Sequence, residues 1–342
     1  MRPFYYGATT NFGDHMNSWL WPELIPDLLA REDDIRLIGV GSLLSRNLDL
    51  VAGPKVVFGT GSGYSSLPTK DQAAAWDVRC VRGPLTAKHL GLAPEKAITD
   101  GAWLINQIPR YADVPTTRKG TVFVPHWSTA SYGNWGQICA QSDLTYVDPF
   151  ADCDTVFGAL AHAELAIVES LHGAIIADFY RTPWIPVASP KRILKYKWLD
   201  WCQSLGLEYH PYLLPPSDYV DHLLQGEKRQ PISPTPEPIP VPLDTFDVLQ
   251  TAPAPRKPGL TYKARMQAKT VLRKGRTVAL EALARGRNTA PFRSWNARHT
   301  DRMQAYFETL KGYKPHLSGD AIRTTRIDQL NAALDLMKQD YS

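Results

Sequence analysis

Three features of this 342-residue sequence predict an α/β fold with mainly parallel sheets. Short apolar runs end in glycines, helical patterns fall between those runs, and the alternation stops at a proline-rich stretch followed by a basic segment. Together they imply two α/β units, a connector and a helical C-terminal extension.

In the first unit, assigned to residues 1–115, the runs at 35–41 and 56–61 read as buried strands that break at glycines. The patterns over 15–29 and 83–90 read as helices, with Pro84 near a helix start where its missing N–H does no harm. The second unit, 116–228, is expected to hold strands at 121–124, 165–168 and 184–187, with a helix over 171–180. Two such units facing each other across a cleft define two Rossmann-like domains in a GT-B-like arrangement, where ligands sit at the carboxyl ends of the strands. Nine prolines between positions 231 and 258 mark an extended connector, assigned to 229–258. The extension, 259–342, reads as three helices over 262–285, 296–310 and 320–338.

Composition narrows the class. The hydrophobic share of 44% is that of a globular chain, and no apolar stretch reaches membrane-spanning length. No signal-peptide pattern opens the sequence, so a cytoplasmic protein is expected. Four scattered cysteines form no C-x-x-C pair, and no metal-binding motif is present, so a metal-free site is expected. Net charge is +4, yet thirteen lysines and arginines face two acids between 256 and 302, a local +11 that leaves the remainder at −7. Such asymmetry suggests an anionic surface as partner, with the equal alternative that the basic segment packs on the body and leaves its charges in water. Ten tryptophans and fifteen tyrosines suit the stacking of sugar faces, although core packing explains them equally.

Several residues could carry chemistry. Glu169-Ser170-Leu171-His172-Gly173-Ala174 follows a strand and opens a helix, with Ser170 as N-cap and the first N–H groups aimed at an anion. His172 in that first turn is a candidate site residue, against the alternative of a buried structural histidine. Arg82, in Val81-Arg82-Gly83-Pro84, lies at a strand-to-helix junction where a guanidinium can grip a carboxylate or phosphate, although an arginine there is more often a surface ion pair. In Asn11-Phe12-Gly13-Asp14-His15-Met16-Asn17, Gly13 permits a tight turn, Asp14 can cap the next helix, and Asn11 and Asn17 could bond sugar hydroxyls, although capping alone would explain most of this loop. His126, at a strand's carboxyl end, is placed for a ligand contact beside Trp127, with a plain loop histidine as the equal alternative. Lys191, Arg192, Lys195 and Lys197 could neutralise phosphate, or simply be solvated cations.

Taken in order, these motifs resemble the polysaccharide pyruvyltransferase family, most closely its succinoglycan-type, ketal-forming branch. The matching stretches are Asn11-Phe12-Gly13-Asp14 with Asn17, Gly39-Val40-Gly41-Ser42, Gly59-Thr60-Gly61-Ser62, Val81-Arg82-Gly83-Pro84, Thr99-Asp100-Gly101-Ala102, Pro125-His126, Glu169 to Ala174, and Lys197-Trp198 with Trp201. They run from about residue 4 to 207 and leave out the extension. Much of the wider family carries an arginine two residues before the histidine, where this chain has Ser170.

The resemblance implies transfer of the enolpyruvyl unit of phosphoenolpyruvate to two glycan hydroxyls, with no cofactor beyond that co-substrate. His172 would be the acid/base group and Arg82 the donor's grip. Asn11, Gly13, Asp14, Asn17, His126, Ser170 and Lys197 would line the substrate site. It further implies a lipid-linked glycan acceptor and peripheral contact with the anionic inner face of the cytoplasmic membrane, with no nucleic-acid partner. A GT-B glycosyltransferase using a sugar nucleotide and a non-catalytic glycan-binding protein are the competing readings.

Overall fold

The computed structural model describes residues 1–5, 11–63, 67–189, 194–219, 221–222, 233–241, 282 and 290–342, with side chains from 296 in the last stretch. The expected helix over 262–285, the cations Lys191 and Arg192, and most of the connector lie outside the described residues.

The fold is α/β, with two parallel sheets. In the first, β1 (Arg2–Phe4), β2 (Arg36–Ile38), β3 (Lys55–Thr60) and β4 (Asp77–Val81) lie side by side in chain order. Leu37 faces Pro3 on one side and Val56 on the other. Leu37, Ile38, Val56, Val57 and Phe58 are all buried, as expected of strands covered on both faces.

The second sheet contains β5 (Thr121–Val124), β6 (Thr145–Tyr146), β7 (Leu165–Val168), β8 (Trp184–Ala188) and β9 (Tyr212–Leu213), in the order β6-β5-β7-β8-β9. The chain leaves β5 toward one edge and returns on its other side as β7. That reversal places a topological switch point at the carboxyl ends of β5 and β7, where open α/β sheets bind ligands.

The helices of two turns or more are α1 (Phe12–Leu24), α2 (Pro84–Leu90), α3 (Trp135–Gln141), α4 (Cys153–Ala161), α5 (Leu171–Phe179), α6 (Lys195–Ser204), α7 (Ala290–Lys311) and α8 (Asp320–Asp340). Helix α1 differs from the expected 15–29. Asn11 caps it earlier, and Ile25 leaves helical geometry because Pro26 disfavours that conformation in the residue before it. The strands fall on either side of the expected 115/116 boundary, but the core does not divide there. One buried cluster joins Phe12, Met16 and Trp103 to Val124, Val168 and Ile175. Trp103 Nε1 donates to the carbonyl of Ile175 at 2.9 Å, tying the end of the first unit to α5.

Two expectations for the C-terminal region change. Residues 233–241 of the connector are not free of the body. Leu213 N donates to Glu237 O, Ile239 N donates to Pro211 O, and Tyr212 bridges Pro238 antiparallel, so this piece lies along the outer edge of β9. Proline at every second position (236, 238, 240) leaves Glu237 and Ile239 to bond the strand, which is how a proline-rich segment can serve as an edge.

The extension is likewise no appendage over 290–342. In α7, Met303, Tyr306, Phe307 and Leu310 follow helical spacing and are buried with Phe123, Ile167 and Ile185 of the second sheet. In α8, Leu330, Leu334 and Met337 enter the main core. Asp320, at the start of α8, pairs with Arg181 at 2.9 Å. At its far end, Tyr341 Oη donates to Asp77 Oδ2 at 2.7 Å, and Asp340 pairs with Arg79 of β4. Among the described residues, no helix is long and apolar enough to cross a membrane.

Candidate active site

Two helix N-termini, one from each half of the chain, meet at the centre of the expected site. Asn11 caps α1, its Oδ1 accepting from Asp14 N at 3.2 Å, and Ser170 caps α5, its Oγ accepting from Gly173 N at 3.3 Å. Both helices bring the positive end of their dipoles to the junction. Gly13 touches His172 so closely that a β-carbon there would stand 2.1 Å from His172 Nδ1. Phe12 packs edge-on against the same imidazole, with ring centroids 6.2 Å apart. Among the described residues, His172 Nε2 is buried without a hydrogen-bond partner. Burial, then the positive charges of Lys197 and Arg82, push the His172 pKa down to about 3, so the ring is neutral at physiological pH.

Arg82 is completely buried and already engaged. Its Nε donates to Asp200 Oδ2 at 3.2 Å, Nη1 to Ser42 Oγ at 2.8 Å, and Nη2 to the carbonyl of Ser62 at 2.9 Å. Asp200 also accepts from Thr86 N at 2.9 Å and from Thr86 Oγ1 at 2.6 Å. Gly83, the N-cap of α2, has no side chain to cap with, and the carboxylate of Asp200 performs that task from α6. A β-carbon on Gly83 would stand 1.9 Å from the Asp200 carbonyl oxygen, so glycine is what lets α6 approach. Arg82 is therefore a pillar between the two glycine loops that follow β2 and β3, and its charge is felt at His172.

At the switch point of the second sheet, buried Glu169 binds the loops together. It accepts from His126 N at 3.0 Å, Ser189 N at 3.1 Å and Ser189 Oγ at 2.6 Å, joining the ends of β5, β7 and β8. Burial raises the pKa of its carboxyl group. His126 is held there, with Nδ1 2.7 Å from Ser128 Oγ, while its own ring caps the short turn that follows. Trp127 stands beside it, with ring centroids 5.5 Å apart.

The structure thus brings together Gly13, Asp14, Arg82, Ser170, His172 and Lys197, with Asn11 at the rim and His126 on the adjoining strand end. Asn17 does something else: it is buried, its Nδ2 donates to Val40 O at 2.9 Å, and its Oδ1 accepts from Trp21 Nε1 at 3.0 Å. Its amide braces the loop after β2. Lys195 donates to Pro240 O at 2.7 Å and so fastens the connector. Asp200 and Glu169 carry positions that sequence reasoning did not assign. Asp200 lies one helical turn after Lys197, and that spacing was the available signal. Among the described residues, no cluster of three or more His, Cys, Asp or Glu side chains is placed to hold a metal ion.

The chain is 39% identical over 229 residues to the succinoglycan biosynthesis protein ExoV of Rhizobium meliloti (strain 1021), a match covering 67% of this chain and 72% of ExoV. No family model and no solved structure matches the chain. The chain belongs to the polysaccharide pyruvyltransferase family, in its succinoglycan-type branch.

Proposed function

We propose that this protein transfers the enolpyruvyl unit of phosphoenolpyruvate to two hydroxyls of a glycan, closing a pyruvate ketal during exopolysaccharide synthesis. The observation that carries the reading is the meeting of two helix N-termini at His172, whose buried, unpartnered Nε2 lies within the field of Lys197 and Arg82. Such a place favours a small, multiply charged anion. The succinoglycan role of the relative supports a glycan acceptor. In this reading the halves form a GT-B-like pair, and the acceptor is lipid-linked and met at the cytoplasmic face of the membrane.

The chemistry follows from the charge balance. Before a donor binds, His172 is neutral. A bound donor brings a carboxylate and a phosphate that offset Lys197 and Arg82, raising the His172 pKa and letting it hold the proton that the methylene carbon requires. Arg82, fixed by Asp200, contributes its field through the glycine loops, while Lys197 and the helix N–H groups hold the anion. The test is to incubate the purified protein with phosphoenolpyruvate and a panel of glycosides. The expected product is a glycoside whose mass has grown by a pyruvate ketal, with phosphate released. No phosphate release with any diol-bearing glycoside, together with turnover of a sugar nucleotide, would replace this reading with a glycosyltransferase.

A further inference from the structure

Ketal formation releases two hydroxyl protons and needs one at the methylene carbon, more traffic than a single histidine handles in one step. A second proton-accepting group faces His172 from the opposite half of the molecule. Asp14 is in the first turn of α1, and its Oδ2 accepts from Asn11 Nδ2 at 2.6 Å. Its Oδ1 is turned toward the loop after β2. A side chain beginning at Gly41 would lie 3.7 Å from Asp14 Oδ1 and 3.8 Å from His172 Cε1, so one point in space is bordered by both groups. Gly41 has φ +111°, a conformation that excludes ordinary side chains, and among the described residues these two groups are the ones within 4 Å of that point. Asn17, by bonding Val40 O, holds the loop in that position. Asp14 is only half-buried, so a ligand can reach it.

We infer that Asp14 is the general base that accepts the proton of the attacking glycan hydroxyl across this gap, while His172 serves the donor. This assignment rests on the donor and acceptor chemistry proposed above. In the first half, the His172 imidazolium gives its proton to the methylene carbon, whose double-bond electrons form the new C–H bond. The acceptor oxygen bonds to the central carbon and its proton passes to Asp14. In the second half, the bond from the central carbon to the phosphate oxygen breaks, its electron pair leaving with phosphate, which takes the proton from Asp14. The second hydroxyl bonds to the central carbon and returns a proton to His172. Both side chains end as they began, and the products are the ketal and inorganic phosphate.

The test uses the full-length protein and two substitutions. Asp14→Asn keeps the shape and the Asn11 contact. It should lower kcat by roughly 10²–10⁴-fold, with phosphoenolpyruvate binding by calorimetry unchanged. Asp14→Ala should lose activity that added formate restores in a concentration-dependent way, with no such gain for the wild type. The backbone N–H capped by Asn11 survives in both variants, so α1 keeps its cap. Near wild-type kcat in Asp14→Asn, or no formate rescue of folded Asp14→Ala, overturns the assignment of Asp14 alone. A wild type that transfers nothing from phosphoenolpyruvate overturns the functional reading, and the assignment with it.

Discussion

The two halves of the molecule make opposite contributions to one site. The first supplies mainly backbone: Gly13, Gly41 and Gly83 are bare positions against which His172, the gap bordered by Asp14, and α6 are seated. The second supplies mainly side chains: Glu169, Ser170, His172, Lys197 and Asp200 all come from β7, α5 and α6 or the loop between. Neither half holds a complete site. Catalytic geometry of this kind depends on the two surfaces staying in register, and a shared core together with α8 provides that.

The most severe way to break the comparison is to remove the element that ties the halves. Deleting residues 320–342 takes Leu330, Leu334 and Met337 out of the main core and the Asp77 and Arg79 partners off the edge of β4. We predict insoluble or molten protein, read by near-ultraviolet circular dichroism. Leu334→Ala, a milder form, should cost about 2–5 kcal/mol in denaturant melts. A stable, active truncation would return α8 to the status of an appendage.

The next largest effect separates side chain from mould. His172→Gln should reduce turnover by roughly 10²–10⁴-fold while leaving the melting temperature near normal. Gly13→Ala, on the other half, should reproduce most of that loss by displacing the imidazole, although no reacting group has been removed. An active Gly13→Ala protein would show that the two N-termini do not meet as described. Gly83→Ala tests the mould at α6. Its β-carbon meets backbone rather than a flexible side chain, and overpacking of this kind should destabilise by about 1–3 kcal/mol.

The last effect is on pH dependence. His172 is depressed from 6.5 to about 3, so the native state resists a proton that the unfolded chain accepts. Its contribution to stability is complete above 6.5 and is lost as pH falls from there through about 3. Asp100 works in the opposite sense. Burial raises it from 3.8 to about 7, so its penalty grows as pH rises across that interval. The difference between wild type and His172→Gln in urea melts across pH 6.5 to 3 therefore isolates the histidine. The wild type should lose more stability than the variant over this range.

Much of this architecture was legible in the chain. Buried parallel strands announce themselves as apolar runs ending in glycine, and helix α5 matches its expected span because Ser170 caps it and Val168 ends the strand before it. The two-residue strands β6 and β9 are too short to leave a pattern. The partnership of Arg82 with Asp200 spans 118 positions, which no local spacing encodes. The packing of the extension's last two helices was left open for a different reason. The extension's net charge dominates the composition, while the four buried residues of α7 and three of α8 that decide its packing are a minority at helical spacing. Charge counts describe a surface, and the apolar stripe beneath it determines where a helix goes.

The central claim is that His172 sits neutral where two helix N-termini meet and gains its proton when the donor's anionic groups arrive. Nitrogen-15 NMR of the imidazole, assigned by its loss in His172→Gln and followed through a pH titration with and without phosphoenolpyruvate, tests this most directly. The predicted result is a free-enzyme pKa near 3 that moves upward when phosphoenolpyruvate binds. A free-enzyme titration near 6.5, or a curve that phosphoenolpyruvate leaves unmoved, would contradict the account.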